Sequence, residues 1–592
     1  MLNRILNSKL LFIFMVCLIM FSCFKKSDRY FGLVQYHNHE SYPVISDGSG
    51  YYAFLPQWFV YKTDNFEFMD SIQEKYPDAR FSDGFSYDFE SEKRFNKYFI
   101  GTAVFQAPGF LITHSIATAF QLDNDGYSNA YQLYTVFIAF IFAFIGFWCI
   151  SKILSYYNVS RFTKLVTILA IALGTNMGSF VIYNSSYSHV YSFAIISLFT
   201  LTLYRWRSAD NPFKSLPLIG ILLGFIFILR PTDAIVALLI PFFFKRKENI
   251  PLFFKTIFTT KAFLYFLIAI SLFIFPIFLQ VLSTYQQLGK WALNSYVGEG
   301  FDYLMNPHII DVLFSFRKGL FIYSPILIIS IIGFYVFWKK DKAIAIGSIS
   351  LLIVFTYITA SWWCWWYGGG LGMRPYINIL VLFAIPFGLL FETIANRYKI
   401  VLLLFSAMFV YMSQVYQQQM IKNILHYDDM NYTQFKHVFM KTDPRFEWSL
   451  HREFDELPTQ KPIKSISELV SNKLIGQYDM DRPDESLSVH IVVDTNFSYW
   501  AGSIVGKVKI VNKDQNPNYT VRYLKGDSLV KEQSFLFGGE IPAINTYYPI
   551  QLNFNPNMPT QLFDKVEVSL FPAGHKCYFK EVQFTSYYYP KQ

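Results

Sequence analysis

An apolar run long enough to cross a bilayer leaves a chain few options. Every backbone N–H and C=O inside it must be paired within the segment, which makes the segment a helix. Here such runs fall at 130–152, 164–183, 190–204, 215–230, 232–244, 262–284, 319–338, 343–361, 374–392 and 398–416. With an N-terminal run at 10–21 they predict a polytopic α-helical membrane protein of about eleven crossings. The 232–244 run is short, and is expected to be a tilted partner to its neighbour or partly re-entrant. Composition points the same way: 16% of residues are charged, against about 25% in soluble domains. The 64 phenylalanines predict a Phe-rich core and lipid-facing surface.

Residues 1–24 combine Arg4 and Lys9 with an apolar stretch and then Ser22-Cys23. That is a signal-peptide pattern, with Cys23 placed as at a lipoprotein cleavage site. Met20 and Phe21 are poor choices before such a site, which favours a retained first helix. Either outcome puts residue 25 onward outside the cytoplasm. The five cysteines, Cys17, Cys23, Cys149, Cys364 and Cys577, show no metal-binding spacing and predict no disulfide framework.

Basic residues fall in alternate loops: Lys152, Arg161 and Lys164; Arg205, Arg207 and Lys214; Lys245, Arg246, Lys247, Lys255 and Lys261; Lys339, Lys340 and Lys342; Arg397 and Lys399. The positive-inside rule makes that side cytoplasmic, Lys25, Lys26 and Arg29 being exceptions on the outer side. The net charge of +9 is thus an orientation signal and does not imply nucleic-acid binding. The opposite side receives 25–129, 285–318, 362–373 and everything after 417. An apolar run at 99–121 would invert this order if it crossed, so it is expected to lie in the outer interface, bent at Pro108-Gly109.

The domain order is therefore a first helix at 1–24, a large outer loop at 25–129, a multi-helix membrane domain at 130–416 and a helical linker at 417–486. At 487–592 the pattern changes to period two, in Ser488–Val493, Gly506–Val511, Tyr519–Tyr523, Tyr547–Phe554, Lys565–Leu570 and Lys580–Phe584. Turn residues separate these runs, predicting an all-β, sandwich-like extracytoplasmic domain. No nucleotide-binding fingerprint is present.

Several polar residues are expected on one face at one membrane depth. Asp47 sits in Asp47-Gly48-Ser49-Gly50-Tyr51-Tyr52. His189 lies in an outer hairpin, Arg230 and Asp233 flank an outer turn, and Arg317-Lys318 precede Gly319. Arg374 follows the Trp/Gly-rich stretch 362–373. Cations placed against the positive-inside bias need a reason, and guanidinium groups bind phosphate bidentately, so an anionic lipid headgroup is one.

This ensemble resembles the GT-C membrane glycosyltransferases, the superfamily of protein O-mannosyltransferases and lipid A aminoarabinose transferases. The features that carry the likeness are Asp47 in the first outer loop, Asn96-Lys97-Tyr98-Phe99-Ile100-Gly101 leading into a helix, Arg317–Pro325, and the stretch ending in Arg374. The resemblance spans roughly 1–416 and excludes the β domain. Gly48 follows Asp47 where many members carry Asp-Glu, and Phe99 stands where Pro is common. The resemblance implies a polyprenyl-phosphate-linked sugar as donor and a protein, lipid or glycan hydroxyl as acceptor. It also implies inverting transfer at the outer face of the plasma (inner) membrane. Asp47 is the expected general base, its pKa expected to be raised by apolar surroundings. Arg374, then Arg317, Lys318 and Arg230, are expected to hold the donor phosphate, and Tyr51, Tyr52, His189, Tyr323 and Trp366 to line the substrate site. No cofactor is named. A divalent cation is compatible with this chemistry, but Asp88, Glu90 and Glu92 lack ligand spacing. Two other readings compete: a flippase or transporter for lipid-linked sugars, and a non-catalytic cell-envelope assembly protein. The scarcity of charge inside the spans disfavours transport.

Overall fold

The computed structural model describes residues 43–76, 81, 85–88, 93–244, 249–258, 260–293, 296, 299–428, 430–443, 462–471, 487–510, 518–536, 548–556, 559–571 and 577–589. The expectations for residues 1–24, and for Lys25, Lys26 and Arg29, lie outside them. The chain divides into two compact units, with the boundary between Gln417 and Gln418.

The first unit is helical. Among the described residues six helices are long and apolar enough to cross a membrane: Asn129–Tyr156, Pro212–Leu229, Lys261–Leu288, Lys342–Ser361, Arg374–Thr393 and Asn396–Ile421. The count of about eleven is therefore not what the described residues show by length and composition. The difference has local causes. The 164–183 run breaks between helices Arg161–Gly174 and Met177–Ile182, at Thr175-Asn176, where the Asn176 side chain donates to Leu371 O at 2.8 Å. The 319–338 run breaks at Ser324-Pro325 between Leu320–Tyr323 and Ile326–Lys340. The 232–244 run forms a 3₁₀ helix, Pro231–Phe243. Helix His189–Ser208 is buried on nearly every face and packs along Asn129–Tyr156.

Helix Gly101–Ala119 runs continuously through Pro108, and Leu111, Ile112 and Ile116 on it are exposed. The part of the chain before helix Asn129–Tyr156 has its own apolar cluster, in which Tyr52, Phe54, Phe66, Phe110 and Tyr127 meet Tyr131 of that helix. Helix Leu216–Leu229 lies against Thr260–Leu288 so closely that glycine is required at the contact. A Cβ on Gly220 would sit 2.2 Å from Ala269 O, and one on Gly224 would sit 2.6 Å from Phe273 O.

The second unit holds two antiparallel four-stranded sheets, ordered β3-β10-β5-β8 and β4-β9-β6-β7. The strands are β3 (Lys464–Ser471), β4 (Leu487–Val492), β5 (Tyr499–Ile510), β6 (Asn518–Lys525), β7 (Ser528–Leu536), β8 (Tyr548–Phe554), β9 (Lys565–Phe571) and β10 (Cys577–Tyr589). A short hairpin of the first unit supplies β1 (Phe85–Asp88) and β2 (Lys93–Asn96). Trp500, Ile504 and Phe584 from one sheet share a core with Val521, Tyr523 and Val568 from the other. Two strands go beyond the sequence expectation. β3 falls inside the expected helical linker, and its described side chains are exposed, so it shows no inward-facing alternation. It is held by pairing with the long β10. β7 is an edge strand with exposed Leu529 and Val530.

Replacing Gly220 by Val should force the two helices apart and lower the detergent melting temperature, an overpacking cost of roughly 1–3 kcal/mol. Gly300→Ala meets only Asp302 Oδ1 at 3.5 Å and should leave it unchanged. Equal melting temperatures for the two variants would refute this close packing.

Candidate functional site

Asp47 opens helix Asp47–Pro56, whose first turn is set by Gly48 N–H donating to Ile45 O at 2.9 Å. Gly50 lies one turn on, and it explains the glycine-rich sequence. A Cβ there would fall 2.0 Å from a ring carbon of Tyr98. Without one, the Tyr98 ring lies on the helix and its hydroxyl donates to Asp47 Oδ1 at 2.8 Å. Asn96 locks this contact. Its Nδ2 donates to Gly50 O at 2.6 Å and its Oδ1 accepts from Tyr98 N at 3.0 Å. The membrane helix Thr260–Leu288 anchors the same segment: Gln287 Oε1 accepts from Asn96 N at 2.9 Å and Gln280 Oε1 from Ile100 N at 2.8 Å.

The other Asp47 oxygen meets Arg374, Nη2 to Oδ2 at 2.5 Å. Arg374 stands at the end of a loop in which Gly368, Gly370 and Gly372 all have left-handed φ. Lys318 Nζ donates to Gly370 O and Asn176 holds Leu371, so the loop is pinned from two sides. The Arg374 guanidinium also lies 5.2 Å from the centre of the Tyr187 ring. Burial pushes the Asp47 carboxyl up, but Arg374 and the Tyr98 hydroxyl outweigh it and hold the group below its ordinary value. The expectation of a raised Asp47 pKa is thereby corrected: the cause is a cation 327 positions away in sequence.

Asp47 and Arg374 open onto a cavity of about 580 Å³. Its lining also carries the charged Arg230, Lys97 and Glu299 and the apolar Phe99, Phe227, Leu229 and Leu293. Tyr51, Tyr98, Tyr296, Trp362 and Tyr367 give it an aromatic lining. Arg230 is loosely held, with Nη1 3.5 Å from Tyr51 Oη and 3.4 Å from Ser188 Oγ. The Nε atoms of Arg230 and Arg374 are both buried without a hydrogen-bond partner among the described residues. Lys97 pairs with Glu299 and lies over the Tyr98 and Tyr296 rings.

Of the residues singled out from sequence, Asp47, Arg374, Arg230 and Tyr51 therefore meet at one cavity, and the others do not line it. Lys318 is buried on the glycine loop. Arg317 lies 3.7 Å over the centre of the Trp366 ring, a cation–π contact, and Tyr323 donates to Phe316 O at 2.6 Å. Tyr52 donates to Gly126 O at 2.5 Å inside the apolar cluster it shares with Phe110 and Tyr127. His189 is buried against Asn378, 2.9 Å from its Oδ1, and Asn378 Nδ2 donates to both Asp233 oxygens at 3.0 and 2.8 Å. Sequence reasoning missed Tyr98, Lys97, Tyr296 and Glu299. Tyr98 and Lys97 stood inside a quoted motif but were given no chemistry, and Tyr296 and Glu299 lie in a loop with no pattern. Among the described residues no group of three or more His, Cys, Asp or Glu gathers to hold a metal; Glu90 and Glu92 lie outside them.

Because the folded Asp47 pKa is depressed, the stability from its pair with Arg374 is complete above the ordinary carboxyl value, about 3.9. It is lost as pH falls through the depressed value. As pH falls below about 4, the wild-type melting temperature should therefore fall more steeply than that of Asp47→Asn, which has no such pair to lose. Parallel acid limbs would contradict the pairing. Compared with protein-family models and with curated proteins, the chain matches none.

Proposed function

We propose that the protein is a membrane glycosyltransferase that moves a sugar from a polyprenyl-phosphate-linked donor to an acceptor hydroxyl. The observation that carries this reading is the make-up of the cavity lining. Two carboxylates, Asp47 and Glu299, and three cations, Arg374, Arg230 and Lys97, share it with aromatic rings and apolar side chains. A lipid-linked sugar phosphate has the same three parts: an anion for the arginines, a sugar face for the aromatic rings, and an apolar chain.

Asp47 takes the proton of the acceptor hydroxyl, and the cations stabilise the departing phosphate. In the resting arrangement Arg374 is spent on Asp47, which weakens that carboxylate as a base. Arg230 is the freer cation and meets the phosphate first. The phosphate then competes for Arg374, and as the guanidinium turns to it, the Asp47 carboxylate regains basicity. Lys97 is committed to Glu299 and shapes the same lining. His189, Asn378 and Asp233 act behind the cavity, beside Arg230.

Purified full-length protein in nanodiscs, given undecaprenyl-phosphate-linked sugars extracted from membranes, should release undecaprenyl phosphate when an acceptor extract is added. Arg230→Gln should raise the donor KM by roughly ten-fold or more, the loss of a charge-assisted phosphate contact of about 1.5–3 kcal/mol. Movement of the intact donor between leaflets, with no phosphate released, would point to a flippase. No interaction with the donor at all would leave an assembly role.

A further inference from the structure

The segment 301–314, which follows membrane helix Thr260–Leu288, carries an apolar surface that the transfer chemistry does not use. Met305 is 99% exposed, Ile310 69% and Phe314 50%, with Leu304 beside them. In water such a cluster would be costly, and contiguous exposed apolar patches mark an interaction surface.

The contacts of this segment say what covers it. It is bonded to the end of membrane helix Lys342–Ser361. Tyr303 N donates to Ser361 O at 3.0 Å and His308 N to Ala360 O at 2.9 Å. Tyr357 on that helix donates its hydroxyl to Leu304 O. Ile353 and Tyr357, one turn apart, are themselves exposed, so the outward face of the helix runs directly into the exposed face of the segment.

The backbone is prepared for a poorly hydrated layer. Tyr303, Leu304, Asn306, His308 and Ile309 all donate their N–H groups to carbonyls, and Pro307 has none to donate. Irregular chain exposed to lipid is tolerated only where its polar groups are satisfied. Asp302, Asn306 and the His308–Asp311 pair, 2.9 Å apart, supply a polar edge. The segment therefore belongs at the headgroup boundary rather than in the hydrocarbon centre.

The same segment borders the cavity. Phe301 and Trp363 both line it, and Trp363 N donates to Gly300 O at 2.9 Å.

We propose that residues 301–314 seat in the lipid leaflet at the end of helix Lys342–Ser361, so that the rim of the cavity formed by Phe301 and Trp363 faces lipid rather than water. This placement does not depend on the reaction the cavity performs.

The test uses the full chain in proteoliposomes of phosphatidylethanolamine and phosphatidylglycerol, with the native cysteines replaced by serine. M305C and I310C, each labelled with bimane, are compared with D527C in the exposed turn after β6. Emission from 305 and 310 should be blue-shifted, and quenched several-fold more by nitroxide-tagged lipid than by iodide, while D527C shows the reverse. Iodide quenching at 305 and 310 equal to that at 527 would place the segment in water and overturn the proposal. Protection from both quenchers would overturn it too, by showing that protein, such as a second copy of the chain, covers the patch.

Discussion

The contact on which the site depends is the ion pair between Asp47 and Arg374, two residues 327 positions apart. Each is delivered by a segment that has no reason to hold its shape alone. Asp47 is placed by a helix kept bare at Gly50 so that Tyr98 can lie on it, and Asn96 ties the two together. Arg374 ends a glycine loop that Lys318 and Asn176 hold by its carbonyls. Removing one partner of a buried pair leaves the other charge uncompensated, a cost of about 3–5 kcal/mol. With 27% of the Asp47 side chain exposed, the lower end of that range applies.

The pair also sets what the cavity can do. A carboxylate held low by a cation is a poor base, and a guanidinium held by a carboxylate is a poor phosphate ligand. Each regains its chemistry when an anion competes for the arginine. In the proposed reaction Arg230, loosely held at the same cavity, receives that anion before the pair opens. The membrane helix that supplies Gln280 and Gln287 carries exposed Phe275 and Phe278 on its outer surface, so the scaffold of the acid is itself a bilayer-facing element.

Much of this was legible in the sequence, and the failures are as physical as the successes. Apolar length reveals a membrane helix because lipid demands internal pairing, and helices such as Asn129–Tyr156 and Lys342–Ser361 lie where their runs do. The same logic missed the break at Asn176, since a side chain that finds a distant carbonyl leaves no mark on periodicity, and the break at Ser324-Pro325, where the apolar run continues across a proline. Alternation revealed β5, β8 and β9, which bury one face, but not the edge strands β3 and β7, whose exposed positions carry no such contrast. At the site, Asp47 and Arg374 stood out by type and neighbourhood. Tyr98 did not, because its value lies in reaching Asp47 across a glycine. Lys318 stood out as an outward cation, yet its charge is spent on a backbone carbonyl.

The most direct measurement is donor turnover by Asp47→Asn, read beside the double variant Asp47→Asn/Arg374→Gln. The amide cannot accept the acceptor proton, so turnover should fall by roughly 10²–10⁴. The double variant removes both charges and should recover melting temperature without recovering turnover, which separates lost chemistry from lost fold. Turnover in Asp47→Asn within a few-fold of wild type, in protein that remains monodisperse, would contradict a catalytic Asp47.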